Sequence, residues 1–440
     1  MEGRTVKKGS ARTNRVSMHP AHIIVGLIAL WPIVPALAET PRPPVSFGAK
    51  HMSVHHSKTV VGPSVQIDEQ GIIFAAWVEE DKDTRTILFA RSETPGGPLG
   101  TPVPVNRPSE SPYYRQESPA VAVRGGEVFV TWSMTHPRTT SDKPFSGELR
   151  LSRSIDGGRS FTPSTLVNDD EQVIQHAFDA IHIAPDGAVH LAWIDGREGK
   201  KEPGTFVARS TDHGRTITKN FKVDDNTCVC CRTAVAASTD AVYVAWRKIF
   251  DGNVRETVVA TSTDGGETFS SPVVVGHDQW AYQACPHRPA SLGVDGGGRL
   301  YVVWYTEGID ETPAIYLAYS DDRGITFSEK KQLNRSKGTF PDHPQVAVDP
   351  EGRVVVIWEE QSPVRREIVM SHSIDRGQTF SVPFKLNEKN GQTPTIAVNQ
   401  HGTVVMGWKE HAMPAHRLVL QIMQLPAVAV AESEIVSHGP

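Results

Sequence analysis

The chain has 440 residues with 36 glycines and 32 prolines, a formal net charge of −5 and a sequence pI near 6.4. A mildly acidic chain that carries no long basic run beyond its N-terminus is poorly suited to bind nucleic acid. Many short alternating apolar runs and almost no helical periodicity favour an all-β structure.

The N-terminus is typical of an exported protein. A basic stretch precedes an apolar run from about Ile23 to Val34, and the small residues Ala36 and Ala38 follow. This order predicts a secretory signal peptide over residues 1–38, since the apolar run is short for a membrane span. We therefore expect a periplasmic or secreted protein with no membrane span after cleavage.

Two features recur along the rest of the chain. The first is a pair of short strands whose second member ends in tryptophan, at positions 77, 132, 193, 246, 304, 358 and 408. The second is a turn of the form S-x-D-x-G-x-T-F, which begins at residues 154, 210, 262, 320 and 373, with 52 to 58 residues between successive starts. Such a period is typical of repeated supersecondary units.

Each period predicts four strands: strand A, strand B ending in tryptophan, strand C, and strand D after the Ser–Asp turn, whose Thr is expected to start that strand. A four-stranded antiparallel unit repeated around an axis is a propeller blade. The predicted fold class is an all-β propeller of four-stranded antiparallel blades over residues 39–426, with seven blades favoured and six possible. The last unit stops near Leu425 after three strands, so the segment from Lys50 to His56 is expected to complete it. Residues 427–440 are predicted to form a loosely packed tail.

The repeated turns resemble the Asp boxes, or BNR repeats, of the sialidase superfamily, over nearly the whole mature chain. The resemblance implies a β-propeller. Five aspartates at equivalent turns cannot all line one site, so we expect them to stabilise their own turns. Sialidases clamp a carboxylate with three arginines and use a tyrosine nucleophile assisted by glutamate. The Arg-Ile-Pro signature of that family is absent here, and the resemblance therefore transfers no catalytic residue.

Blade geometry predicts the face on which a site should lie. The loops that lead into strand A and those that join strand B to strand C share one face, which we call the first-strand face. The turns between strands C and D lie on the opposite, Asp-box face. Chemically active residues concentrate in the loops of the first-strand face, including Tyr113, Tyr114, Arg115, His176, Asp179, Arg232, Arg247, Tyr282, Arg288, Glu307, Asp342, His343, Glu359 and Lys409.

All four cysteines lie in two consecutive loops of that face: Cys228, Cys230 and Cys231 in one, and Cys285 with His287 in the next. An even count in an exported protein favours disulfides. The alternative is a thiolate and imidazole site for copper or zinc, with His176 or His343 as further ligands. The spacing C-x-C-C matches no standard zinc framework, but it is similar to a pattern in exported Asp-box proteins described as sialidase-like.

Two functions remain open from the sequence. Arg115, Arg232 and Arg288 could converge on an anionic ligand, or each could pair with a neighbouring carboxylate or carbonyl. The favoured function is ligand or partner binding, with or without a bound metal, at the cysteine-, histidine- and arginine-rich first-strand face. The expected partner is an acidic glycan, a small anionic ligand or a periplasmic protein. The alternative is an exo-acting glycoside hydrolase of sialidase type, with Tyr114 or Tyr282 as nucleophile.

Overall fold

The computed structural model describes residues 50–55, 59–81, 84–112, 118–141, 143, 145–199, 203–335, 338–411 and 416–427. The predicted signal peptide, the segment with Tyr114 and Arg115, and residues 428–440 of the predicted tail lie outside the described residues. Within the described ranges, no helix has both the length and the apolar character needed to cross a membrane.

Seven antiparallel sheets follow one another along the chain. The strands of the first four blades are β2 Thr59–Ile67, β3 Ile73–Asp81, β4 Thr84–Arg91 and β5 Val103–Pro104; β6 Ala120–Arg124, β7 Glu127–Thr135, β8 Gly147–Ser154 and β9 Thr165–Leu166; β10 His176–Ile183, β11 Val189–Asp195, β12 Gly204–Ser210 and β13 Phe221–Asp224; and β14 Ala234–Ala237, β15 Val242–Phe250, β16 Val254–Ser262 and β17 Val273–Val274. The short strand β18 Trp280–Ala281 adds to blade 4 by pairing with β16.

The remaining blades have the same order. Their strands are β19 Ser291–Val294, β20 Leu300–Thr306, β21 Ala314–Ser320 and β22 Lys331–Gln332; β23 Phe340–Val348, β24 Val354–Gln361, β25 Arg366–Ser373 and β26 Phe384–Lys385; and β27 Gly391–Val398, β28 Thr403–Glu410, β29 Arg417–Gln424 and β1 Lys50–His55. Single 3-10 turns occur at Pro108–Glu110 and Asp251–Asn253.

The N-terminal strand completes the last blade. Strand β1 pairs antiparallel with β29, from Lys50 opposite Ile422 to His55 opposite Arg417. This pairing closes the ring and leaves no three-stranded blade, which confirms the expected closure and fixes the count at seven rather than six. Closure also removes the exposed sheet edge that an open ring would present.

The core lies between neighbouring blades. All seven strand-B tryptophans are at most 3% exposed. The cluster around Trp304 joins Tyr243 and Val259 of blade 4 to Leu300 and Val302 of blade 5. Because each cluster takes side chains from two blades, a single blade cannot bury its own apolar surface, and the repeated tryptophans serve the fold as expected.

The Asp-box turns are closed by their own side chains. Ser262 donates to Asp264 and its Oγ accepts the amide hydrogen of Gly266, at 2.7 and 2.8 Å. The amide and hydroxyl of Thr268 also donate to Asp264. Thr268 therefore belongs to the turn, and strand D starts only at Val273, so the prediction that this Thr begins strand D was wrong.

Bulges in several A strands shape the first-strand face. The register slips by one residue between Val61 and Ser64, Ala177 and Ala180, Asp342 and Gln345, and Gln392 and Thr395. A residue with positive φ lies in each bulge, namely Gly62, Phe178, His343 and Thr393. Bulges redirect side chains next to functional sites. In this way His343 leaves the regular alternation of its strand and meets two carboxylates.

Candidate ligand and metal site on the first-strand face

The four cysteines and His287 form one cluster between blades 4 and 5. The ligand atoms of Cys228, Cys230 and Cys231 lie within 4.8 Å of one another, and so do those of Cys230, Cys285 and His287. Cys230 therefore belongs to both sets. The sequence correctly predicted that the two loops meet.

Backbone pairing holds the first of these loops. The amide of Cys228 donates to the carbonyl of Arg247 at 2.8 Å, and the side chain of Gln175, from blade 3, donates to the carbonyl of Val229 at 2.8 Å. The amide of Cys231 closes the turn on the carbonyl of Cys228 at 3.4 Å. These contacts hold the short turn that carries the three clustered sulfur atoms.

The second loop is positioned by strand β18. Its residues Trp280 and Ala281 pair with Arg255 and Val254 at the start of β16. This pairing brings Cys285 and His287 above the first loop. Cys285 is exposed, whereas Cys228 and Cys231 are fully buried, so the cluster runs from the protein surface into the interior.

Two buried guanidinium groups lie beside the sulfur atoms. Arg255 Nη1 donates to Cys228 Sγ at 3.0 Å, and Arg247, on the neighbouring strand, lies over the Trp280 ring with its guanidinium carbon 5.0 Å from the centroid. Arg247 is 2% exposed and Arg255 is 7% exposed. Within the described part of the chain, neither has a carboxylate at ion-pair distance, and Arg247 Nη1 makes no hydrogen bond.

The thiols have very different acidities. Hydrogen bonds from Cys230 and Cys231, together with the charge of Arg255, lower the pKa of Cys228 to about 2. Burial, followed by the hydrogen bond with Cys228, raises the pKa of Cys231 to about 12. The pKa of Cys230 is also raised, by its hydrogen bonds with Cys228 and Cys231. Burial lowers the pKa of His287, which favours the neutral imidazole that binds metals.

The predicted disulfides are not confirmed. All four cysteines are free, and the distance from Cys228 Sγ to Cys231 Sγ is 3.1 Å. A disulfide requires about 2.05 Å. The metal site suggested by the sequence remains a hypothesis. Its suggested further ligands, His176 and His343, contact carboxylates instead.

A second polar cluster spans blades 5 and 6. Arg288 Nη1 lies 2.8 Å from Asp342 Oδ2, and His343 Nδ1 lies 3.2 Å from Asp342 and 3.3 Å from Glu359. Gln361 Nε2 donates to both carboxylates, at 3.0 and 3.3 Å. Asp342 and Glu359 are 3% and 1% exposed, so two buried acids share one histidine and one amide.

The two acids respond differently to burial. Burial raises the pKa of Asp342. Burial would also raise the pKa of Glu359, but the hydrogen bond and charge of His343 lower it. Two carboxyl groups with pKa values shifted in opposite directions are a common arrangement in acid–base catalysis.

The arginines proposed as a clamp are engaged by the protein. Arg232 Nη2 donates to the carbonyl of Ser118 at 2.5 Å, and its charge acts on the buried Asp179, whose pKa burial raises. Arg288 is held by Asp342. Since Arg115 is outside the described residues, a three-arginine clamp remains a prediction.

The tyrosine that contacts a glutamate is one that the sequence did not single out. Tyr305 donates to Glu307 Oε1 at 2.6 Å, and Arg288 lies over its ring at 5.0 Å from the centroid. Burial raises the pKa of Tyr305, which is only 2% exposed. The predicted nucleophile Tyr282 stacks on Trp280 with 5.0 Å between centroids. Tyr305 follows the repeated Trp304 near the end of strand β20 and packs in a hydrophobic cluster, so its place in the sequence did not distinguish it from a core residue.

A basic groove of about 300 Å³ lies between the B–C loop of blade 6 and the adjoining loops of blade 7. Four cationic and two acidic side chains line it, together with His411: Arg365, Arg366, Lys385, Lys389, Glu367 and Glu388. Glu367 is shared by Arg365 and Lys385, at 3.5 and 2.9 Å. This groove leaves positive charge for an anion, and the sequence analysis did not predict it.

His176 lies in a third cluster with Asp170 and Asp195, at 2.8 and 3.6 Å. Arg197 contacts Asp195 at 2.8 Å. Burial would lower the pKa of His176, but the hydrogen bond with Asp170 and the charge of Asp195 raise it, so His176 and Arg197 together balance the two acids. The ion pairs within this cluster account for its charges, and it acts as a structural link between blades 2 and 3.

No family model matches this chain, and no curated protein matches it at a significant level. Solved structures with a similar fold include the polysaccharide lyase Uly1, with a TM-score of 0.56 and 13% identity over 85% of this chain and 92% of the lyase. An ulvan lyase of family PL25 bound to -[GlcA(1-4)Rha3S]- has a TM-score of 0.53 and 10% identity over 83% of this chain and 97% of that one. An intramolecular trans-sialidase from Ruminococcus gnavus has a TM-score of 0.45 and 12% identity over 85% and 96%. At these identities the similarity concerns the fold alone. The chain is thus a β-propeller with seven four-stranded blades, a fold similar to that of these lyases.

Proposed function

We propose that this protein is an exported binding protein for an acidic glycan, which it holds in the basic groove of the first-strand face. The observation that carries the proposal is the excess of cationic side chains in that groove. Arg366 is the central residue because it also reaches the site of the two buried acids, with Nη1 3.8 Å from Glu359 Oε2.

The chemistry of the groove fits carboxylate or sulfate groups on a sugar chain. Guanidinium groups bind planar anions through paired hydrogen bonds, and such charge-assisted bonds are the stronger ones. The groove is an open cleft on the surface, so it suits an extended chain rather than an enclosed small molecule. The ulvan lyase named above holds a glucuronate-containing, sulfated sugar on a propeller of similar fold.

Direct binding tests the proposal. We expect a glucuronate-containing tetrasaccharide to bind the mature protein in isothermal titration calorimetry, while a neutral maltotetraose does not bind. Replacing Arg366 with alanine should weaken binding about tenfold or more, because a charge-assisted hydrogen bond contributes about 1.5–3 kcal/mol. The matched control is Arg215→Ala, an exposed arginine of the Asp-box face. Equal affinity in both variants would contradict the proposal.

Sialidase-type hydrolysis is the second candidate, favoured by the buried acids Asp342 and Glu359 and by the Tyr305–Glu307 contact. Their burial argues against it, since a nucleophile must reach the substrate. Turnover of a fluorogenic sialoside that is lost in Arg288→Ala would establish the hydrolase. Tight binding of the acidic tetrasaccharide without product release would support the binding protein.

A further inference from the structure

We propose that the cysteine cluster binds two Cu(I) ions in adjoining three-coordinate sites that share Cys230. The inner site would consist of Cys228, Cys230 and Cys231, and the outer site of Cys230, Cys285 and His287. The proposal is independent of glycan binding, because the groove and the cluster share no residue.

The division of the ligands favours Cu(I) over zinc. The ligand atoms fall into two sets of three that share one sulfur, and they do not form a single set of four. Structural zinc sites are four-coordinate and tetrahedral. Thiolate sulfur is a soft ligand that selects Cu(I), and a monovalent soft ion is satisfied by three such donors. Two adjoining three-coordinate sites built from five ligands must share one ligand, and the thiolate of Cys230 can bridge both ions.

The buried arginines provide the second, independent argument. Arg247 and Arg255 lie against the cluster without carboxylate partners in the described part of the chain, and a buried charge without a counterion is costly. Four thiolates and two Cu(I) ions together carry two negative charges, which two guanidinium groups balance. A pair of disulfides would carry no charge and would leave both arginines with backbone carbonyls as hydrogen-bond acceptors but with no anionic partner in the described residues.

The position of the outer site explains how an ion could enter. Cys285 is exposed, and His287 contacts the ring of Phe178 with 6.2 Å between centroids. Cys230, with 5% of its surface exposed, links this outer pair to the fully buried Cys228 and Cys231. An ion that binds first at Cys285 and His287 can pass to the inner site through the shared sulfur. Metal binding at each step releases the protons of the thiols involved.

Anaerobic titration of the full chain with Cu(I), in competition with a chromophoric Cu(I) chelator, tests the stoichiometry. We expect two copper ions per chain, with four thiols reactive under denaturing conditions once the metal is removed. Cys285→Ser, at an exposed position that should not disturb folding, is expected to bind one ion and to retain the inner site. Cys228→Ser should lose the inner ion, with thermal melting as the check on its fold.

The matched control is His401→Ala, an exposed histidine in a turn of the Asp-box face, which should still bind two ions. Three results would overturn the proposal. They are four oxidised sulfur atoms without bound metal, one zinc ion in preference to copper, and a Cys285→Ser variant that still binds two ions.

Discussion

The two faces of the propeller use polar residues in opposite ways. On the Asp-box face, each Ser–Asp turn satisfies its own donors: the Ser262 and Asp264 side chains bond within eight residues of chain. On the first-strand face, Arg247 and Arg255 are buried, and Arg255 donates to the sulfur of Cys228, a residue that does not recur in the other blades. The face that departs from the repeat is therefore the one that carries specific chemistry.

This difference shows how a repeated fold acquires a single site. Residues present in every blade serve the blade, as the seven tryptophans do. Residues present in only one or two blades, such as the cysteines of blades 4 and 5, have no role in the repeat and need another explanation. Substitutions on the two faces should accordingly affect different properties.

The largest effect is expected from Arg255→Met. Removing this buried guanidinium leaves thiolate charge uncompensated and should cost the copper-loaded protein about 3–5 kcal/mol of unfolding free energy. Urea denaturation under argon, with and without copper, measures the loss. Arg215→Met on the Asp-box face should change stability by about 0.5 kcal/mol or less. Equal losses in the two variants would contradict the charge balance proposed for the cluster.

Ser262→Ala should have an intermediate effect on stability and none on copper binding. The substitution leaves the partly buried amide of Gly266 without its acceptor, which costs about 0.5–1.5 kcal/mol. Denaturation midpoints and copper stoichiometry can be measured on the same preparation. A change in the number of bound ions would show that the two faces are not independent.

Acid should weaken the Asp-box face first. Burial would raise the pKa of Asp156, but hydrogen bonds from Ser154 and Ser160 lower it to about 2. A lowered pKa stabilises the folded chain above the ordinary value of 3.8, and this contribution is lost as the pH falls toward 2. The melting temperature should fall over that range, and less so in Ser154→Ala. Identical profiles for the two proteins would exclude this role of the turn.

The smallest effect concerns His343 and anion binding. Burial would lower the pKa of His343, but the charges of Asp342 and Glu359 raise it above 6.5. The imidazole therefore keeps its proton to a higher pH than an ordinary histidine does, and it loses its charge as the pH rises through the raised pKa. Affinity for the acidic tetrasaccharide should decrease a few-fold over that rise, and His343→Gln should flatten the dependence. If the affinity of His343→Gln depended on pH as steeply as that of the wild type or more so, a group other than His343 would be responsible for the pH dependence.

Most of the fold could be predicted from the sequence because the same turn and the same tryptophan-containing strand recur in successive blades. Five Ser–Asp turns and seven tryptophan strands predicted the blade order. The missing strand after Leu425 predicted closure by the segment from Lys50 to His56, and the observed strand is Lys50–His55. The site was harder to predict. The meeting of the two cysteine loops followed from consecutive blades. The contacts of Arg247 and Arg255, which donate to backbone carbonyls and to Cys228 Sγ and have no carboxylate partner in the described residues, depend on side-chain directions that no spacing reveals.

The basic groove was missed for a related reason. Arg366 begins strand β25 of blade 6, and Lys389 lies in the connection that leads to blade 7, so no period relates them. The bulge that places His343 against Glu359 was also not predicted. His343 has a positive φ, which is uncommon for a residue other than glycine, so the sequence did not indicate a bulge at this position.

Crystals of the copper-loaded protein, measured for the anomalous signal of copper, would locate the bound ions. We expect two copper peaks on the first-strand face, one among Cys228, Cys230 and Cys231 and one among Cys230, Cys285 and His287. Disulfide bonds at these cysteines, or copper bound only on the Asp-box face, would contradict this prediction.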